Sequence, residues 1–236
     1  MKNLVIVGSG MSAMRVVDEV LKIDPLMYQI TIIGEEKVLP YNRIMLSSVL
    51  AGEKDFKDIK THDESYFSQN NIIFKPGCLV SSIDRLNKSI LLTNEKKSYA
   101  VEYDRLVICT GSKPFILPLS GRTLEGVVSF RDIYDVEYMQ SKASQAKKVA
   151  IIGTGLLGLE AANGLNELGF DTFVIKRPPI DKGLGHIFLG IRADYDTGLQ
   201  CGDDFFIAFD PTLKGAKLGD KGAGLSKVKK FQCGRI

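Results

Sequence analysis

The sequence predicts an α/β fold with a parallel sheet, on three observations. Residues 4–7, Leu-Val-Ile-Val, are a short apolar run, mostly β-branched, that ends in Gly8-Ser9-Gly10. A helical pattern follows over residues 11–23, with apolar side chains at Met14, Val17 and Leu21. The same succession returns later: Val149-Ala150-Ile151-Ile152, then Gly153-Thr154-Gly155-Leu156-Leu157-Gly158, then a second helical stretch. An unbroken apolar run of this length suits a strand covered on both faces, and strands alternating with helices build a parallel sheet.

The composition agrees with a globular protein. The 236 residues are 44% hydrophobic and 25% charged, enough for one large or two small domains. A net charge of +3, with no basic tract interleaved with aromatics, argues against a nucleic-acid partner or an acidic membrane surface. No apolar run approaches the roughly 20 residues of a membrane span, and the N-terminus enters a strand with no leader pattern. Cys78, Cys109, Cys201 and Cys233 show neither CxxC nor metal-ligand spacing. They read as free or buried thiols of a cytoplasmic protein without a metal site.

The first glycine turn, Gly8-x-Gly10-x-x-Ala13, has the dinucleotide fingerprint, with alanine in the third position. Its glycines let backbone approach a bound pyrophosphate, which the N–H groups and dipole of the helix start attract. Asp24-Pro25 breaks the helical pattern, and residues 28–33, Tyr-Gln-Ile-Thr-Ile-Ile, read as a second strand. An acid after that strand accepts hydrogen bonds from a ribose in such units, and Glu35 stands there. Glu35 and Glu36 read also as solvated loop charges.

Arg43 offers a planar fork for a phosphate, although an isolated arginine reads as a surface charge. Residues 45–50 suggest a short helix. Residues 55–71 are polar and mixed, and His62 within them reads as a surface residue. Short strands are expected at 72–74, 79–83 and 89–93, with turns at Lys75-Pro76-Gly77 and Leu86-Asn87-Lys88. A further buried strand spans 103–112, and the small residues at its end suit either backbone passing a ligand or a simple turn. Residues 127–132 read as a strand and 133–146 as a helix.

The second turn carries all three glycines, and its helix runs to Leu168 before Gly169, a favourable residue just past a helix end. Residues 171–175 form the next strand. Two such turns, each after a β-branched strand and before an amphipathic helix, point to two dinucleotide sites.

The blocks GSGMSA, GEEKVLPYNRIMLS, EYDRLVICTGS and IIGTGLLGLEAA, in that order, resemble the FAD- and NAD(P)H-dependent pyridine-nucleotide reductases. That group includes rubredoxin and ferredoxin reductases. The second block, with PYNR and then Leu-Ser-Ser, is similar to the large-subunit branch of the NAD(P)H nitrite reductases. The resemblance covers residues 1–176. It implies a Rossmann-like FAD-binding domain, with a parallel and a small antiparallel sheet, followed by an incomplete second Rossmann-like NAD(P)-binding unit.

It implies roles at matching positions. Gly8, Gly10 and Ser12 would lie at the FAD pyrophosphate, Glu35 at its ribose and Val80 at its adenine. Arg43, Thr110, Gly111 and Arg131 match further FAD contacts, whereas Ser48 stands where several relatives have lysine. Gly153, Gly155 and Gly158 would hold the NAD(P)H pyrophosphate, with Glu160 near the nicotinamide. Hydride would pass from NAD(P)H to FAD and electrons onward, to a small molecule or a small redox protein. No side-chain nucleophile is expected, and the CxxxxC pair of the disulfide-reducing branch is absent.

The domain boundaries expected are 1–120 for the FAD-binding portion, 121–176 for a crossover and the start of the NAD(P) unit, and 177–236 for a divergent tail. Lys176-Arg177 stand where an acid for the NAD ribose is expected, which suits either NADPH or the end of the family pattern. The tail lacks glutamate, is rich in Gly and Lys, and reads as disordered. A frame shift, a fusion or a misassigned reading frame would account for it. Two other functional classes compete: a nucleotide-binding remnant without activity, and a simpler NAD-only dehydrogenase, which the second fingerprint opposes.

Overall fold

A computed structural model describes residues 1–95, 97–114, 123–153 and 155–175, with short strands at 188–191, 200–201, 204–205 and 233–235. The chain forms two compact units. Residues 1–43 and 57–113 make the first, and residues 44–56 and 114–236 belong to the second.

The first unit is organised by β1 (Lys2–Val7), α1 (Met11–Ile23) and β2 (Tyr28–Ile33). With β3 (Ile73–Lys75) and β7 (Arg105–Ile108) they form a four-stranded parallel sheet of order β3-β2-β1-β7. Alternation along β1 explains why a continuous apolar run was needed. Leu4 and Ile6 pack with Ala13, Met14 and Val17 of α1 and with Phe67. Val5 and Val7 face the other way, onto Cys78, Ile90 and Leu92. That second layer is an antiparallel sheet of β4 (Leu79–Asp84), β5 (Ser89–Thr93) and β6 (Ser98–Glu102), with an irregular register between Val80 and Ser82. Both faces of the parallel sheet are therefore covered.

Some elements of this unit differ from what the sequence pattern indicated. α3 (Glu64–Gln69) forms within the polar stretch because the Asp63 side chain caps it, accepting the Tyr66 N–H at 2.9 Å. The strand expected over 103–112 is only the four residues of β7. Its lead-in is tied elsewhere, Tyr103 N–H to Lys88 O and Asp104 N–H to Asn3 O.

In the second unit β9 (Lys148–Ile152) and β10 (Asp171–Ile175) pair in parallel on either side of α5 (Leu156–Glu167) in the chain. β8 (Val127–Val128), β11 (Phe188–Ile191) and β14 (Cys233–Arg235) complete a sheet of order β14-β10-β9-β11-β8. β12 (Gln200–Cys201) and β13 (Asp204–Phe205) pair with each other. α2 (Leu46–Leu50) packs on α5, and Gln140 of α4 (Ile133–Lys142) donates to Val49 O at 3.0 Å. α4 stops four residues short of the expected end, in turns closed by Gln145 and Ala146 N–H groups on Lys142 O.

The start of α4 is held by a reciprocal cap. Asp132 accepts the Asp135 N–H at 3.0 Å, and the Asp135 carboxylate accepts the N–H groups of Asp132 and Arg131 and the Ser129 hydroxyl. Burial and the neighbouring Asp132 raise the Asp135 pKa. Replacing Asp132 by Ala should cost about 1 kcal/mol, checked by thermal unfolding of the variant.

Candidate functional site

The carboxyl ends of the parallel strands of the first unit stop in one row, Lys75 beside Ile33, Ile33 beside Val7 and Val7 beside Ile108. The ladder then continues by one residue into the loops. Gly8 N–H donates to Ile33 O at 2.7 Å, Gly34 N–H to Lys75 O at 3.0 Å and Cys109 N–H to Val7 O at 2.7 Å. β1 continues to β2 on one side and has β7 on the other, so the glycine turn lies where the strand order reverses. In open α/β sheets that is where ligands bind.

The turn is built from two glycines with different duties. Gly8 has φ +110°, and a side chain there would run into the Cys109 carbonyl, whose carbon is 2.6 Å from the Cβ position. Gly10 is the N-cap of α1 in extended conformation, and its Cβ position has no protein atom within 4 Å. No side chain caps the helix and no acid occupies its first turn. Ser12 is exposed on that turn.

The other expected residues of this unit distribute as follows. Gly34 packs so closely on Ser9 that a Cβ there would lie 3.0 Å from the serine Cβ, which brings Glu35 beside the turn with its side chain exposed. Thr110 and Gly111, the latter at φ +70°, follow β7 and are exposed. Val80 is half-buried in β4, packed on the cluster of Val5, Val7 and Ile33.

Arg43 is no solitary surface charge. Its guanidinium pairs with Glu36, the two side chains being 26% and 19% exposed, and sits 5.3 Å from the Tyr41 ring centre. Tyr41 O–H donates to the other Glu36 oxygen at 2.7 Å. Glu36, read as a solvated loop charge, is instead only 19% exposed and engaged, and Tyr41 was not singled out in the sequence. The visible signal was the spacing Glu36…Tyr41-x-Arg43 about Pro40. His62 is likewise not a surface residue: its side chain is 14% exposed, edge-on to Tyr66 and 3.3 Å from Asp18. Tyr66 also donates to Asp18, and with burial this raises its pKa and keeps the phenol protonated.

The second unit repeats the turn. Gly153 has φ +124°, matching Gly8, and Gly155 caps α5 with φ −72° and ψ 172°, matching Gly10 at −77° and −178°. Again no side chain caps the helix, and Gly158 is buried on it. Glu160 lies in an open cleft with Ser47, Ser48, Glu53 and Asn163. Arg131 is half-buried just before α4, its N–H on Asp135. Lys176, Arg177 and the expected tail fall largely outside the described residues, as does Thr154.

Among the described residues no helix is long and apolar enough to cross a membrane, and no cluster of three or more His, Cys, Asp or Glu side chains is suited to a metal ion.

Residues 2–182 match the family described as pyridine nucleotide-disulphide oxidoreductase. The chain is 44% identical over 178 residues to the nitrite reductase [NAD(P)H] of Bacillus subtilis, a match covering 75% of this chain and 22% of that protein. It is 41% identical over 174 residues to the assimilatory nitrate reductase electron transfer subunit of the same organism, covering 74% and 22%. Among solved structures, the NAD-dependent persulfide reductase from A. fulgidus superimposes with a TM-score of 0.68 at 27% identity, over 73% of this chain and 33% of that one. The chain thus spans about a fifth of the length of these curated relatives. Members of the family are FAD- and NAD(P)H-dependent. The paired turns and the strand order that places them fit these matches: the chain belongs to the pyridine nucleotide-disulphide oxidoreductase family.

Proposed function

We propose that the chain is a segment of an NAD(P)H-dependent flavoprotein oxidoreductase of the nitrite reductase type, with FAD at the first glycine turn and NAD(P)H at the second. The observation that carries this reading is the duplicated turn, two glycine N-caps of matching backbone angles that follow parallel strands. The residues present fit a dinucleotide. Gly10 leaves open the space a side chain would fill, and the first turn of α1 brings unmasked N–H groups without an acid to repel a phosphate.

In this assignment Gly8, Gly10 and Ser12 bind the FAD pyrophosphate and Glu35 accepts the ribose hydroxyls. Glu36, engaged by Tyr41 and Arg43, is not the ribose acceptor. Arg43, Thr110, Gly111 and Arg131 contact the flavin nucleotide, and Val80 meets the adenine through its backbone. Gly153, Gly155 and Gly158 hold the second pyrophosphate, and Glu160 approaches the nicotinamide. Once bound, the two cofactors supply hydride transfer, and the protein contributes binding and orientation. Residues 1–120 are assigned to the FAD portion, 121–176 to the crossover and the NAD(P) unit, and 177–236 to a divergent tail, in a cytoplasmic protein. The electron acceptor is a small molecule or a small redox protein, a class supported by the similarity to an electron transfer subunit.

A second reading is a nucleotide-binding remnant without activity. The visible spectrum separates the two. The purified chain should be yellow, or become so with added FAD, and its flavin band should bleach on anaerobic addition of NADH or NADPH. A colourless chain that takes up no FAD overturns the first reading and supports the second.

A further inference from the structure

We infer that His62 is a proton-dependent switch in the first unit: its charged ring links Asp18 of α1 to the backbone at Pro40, and the neutral ring draws the Thr61 hydroxyl away from Pro40. Four contacts define the link. His62 Nε2 lies 3.3 Å from Asp18 Oδ1, and Nδ1 lies 3.0 Å from the Thr61 hydroxyl. That hydroxyl donates to Pro40 O at 3.2 Å, and the Tyr66 hydroxyl donates to the same Asp18 oxygen at 2.5 Å. The backbone it reaches is a short pairing of its own: Tyr41 bridges to Lys60, Asn42 N–H donates to Ile59 O at 2.8 Å, and Thr61 N–H to Pro40 O at 2.9 Å.

A carbonyl and a carboxylate only accept, so the single Thr61 hydroxyl proton is committed to Pro40 O, and Asp18 can only receive. Thr61 therefore takes a proton from Nδ1 while Asp18 takes one from Nε2, and a histidine with a proton on each ring nitrogen is the cation. The neutral ring has one donor. With that donor kept on Asp18, Nδ1 turns acceptor, and the Thr61 hydroxyl must rotate to it and leave Pro40 O. The charges around the ring agree. Among the described residues Asp18 pairs with no Lys or Arg, and Arg15 and Lys22 of the same helix both engage Glu19. Tyr66 faces the ring from α3, and burial and Asp18 raise its pKa, so it donates throughout. Asp63 turns to the start of α3, where the Ser65 hydroxyl and the Tyr66 N–H hold its carboxyl below the usual range. Asp58, Lys60 and Glu64 are exposed. Of the groups at this link, histidine is the type that changes charge between about pH 5 and 8. Since the folded arrangement holds the charged ring, its contribution is complete at low pH and is lost as pH rises through that range.

The test is amide exchange of the full chain, corrected for the intrinsic exchange rate at each pH. In wild type, protection of the Thr61 and Asn42 N–H groups should fall about fivefold between about pH 5.5 and pH 8, the size of one partly exposed charge-assisted bond. H62Q, whose amide carries no titrating proton, should show a fall of less than about 1.5-fold. T61V keeps the ring and its charge but has no hydroxyl to relay it, so its fall should stay below about twofold. Y66F should retain the full fall, because the phenol keeps its proton across this range. A histidine that only fills space would lower protection equally at both pH values when replaced, and would leave their ratio as in wild type. A fall that survives undiminished in H62Q or T61V, a wild-type ratio near one, or protection that grows with pH each overturns the inference. Loss of the fall in Y66F would assign the proton to Tyr66 and overturns it as well. Should H62Q fail to fold, T61V against wild type carries the comparison, and an undiminished fall there overturns it equally.

Discussion

Gly8→Ala should strongly destabilise the first unit, whereas Gly10→Ala should leave it nearly as stable and weaken its binding of FAD. The two glycines are separated by Ser9 alone and differ in what surrounds them. At Gly8 the backbone has φ +110°, which an L-residue adopts only with strain, and the added methyl would fall on the Cys109 carbonyl. That carbonyl cannot swing away, since Cys109 N–H is already bonded to Val7 O, and Gly8 itself is tied to Ile33 O. Strain and clash together should cost on the order of 4 kcal/mol, and for a chain of this size that lowers Tm by about 10 °C. At Gly10 the φ of −77° suits any residue, and the Cβ position meets no protein atom. Alanine is only a poorer N-cap, by roughly 1 kcal/mol. If the open space is where a pyrophosphate approaches the backbone, the same methyl should weaken FAD binding at least about tenfold, or about 1.4 kcal/mol. Thermal melting without FAD, set against FAD titration, checks both. A Gly10→Ala chain that binds FAD as wild type does would show that the turn is not the FAD site.

Where periodicity speaks, the sequence is a good guide to this fold. α1, β2, β5 and β10 occupy the residues expected of them, because apolar spacing and flanking turn residues such as Asp24-Pro25, Gly34, Asn87 and Gly169 mark their ends. α3 was invisible for a physical reason: of its six residues only Phe67 is buried, so it has no apolar stripe, and it exists through its Asp63 cap. β6 alternates half-buried and exposed residues without a strong apolar face, and it is held by pairing with β5. The glycine turns were legible because their conformation restricts the residue type at each step. The Glu36–Tyr41–Arg43 cluster was not, since two adjacent glutamates look alike in sequence and only the loop geometry sends one to the turn and the other to the arginine. Nor could composition reveal that residues 44–56, between two stretches of the first unit, pack with the second.

That excursion leaves Gly164 little room for a side chain. Gly164 is buried in α5 where it crosses α2, and a Cβ there would lie 2.9 Å from Leu50 Cγ and 3.2 Å from both Leu50 Cβ and the Ala51 nitrogen. Helix propensity alone favours replacing a mid-helix glycine by alanine, by about 1 kcal/mol. Packing opposes it: Leu50 is fully buried, so its branch point has no solvent to move into, and the Ala51 backbone is bonded to Ser47 O. Valine gains little propensity over glycine and brings three more carbon atoms, so overpacking decides the outcome. Gly164→Val should therefore destabilise the second unit by roughly 3 kcal/mol, lowering amide-exchange protection in α5, β9 and β10 while leaving β1 and β2 as they are. Combining it with Leu50→Ala should recover part of the loss, so that the double variant is more stable than the sum of the single losses predicts. Additive losses would mean that α2 and α5 are not in contact in solution. An equal fall in protection across β1 and β2 would mean that the two units unfold as one.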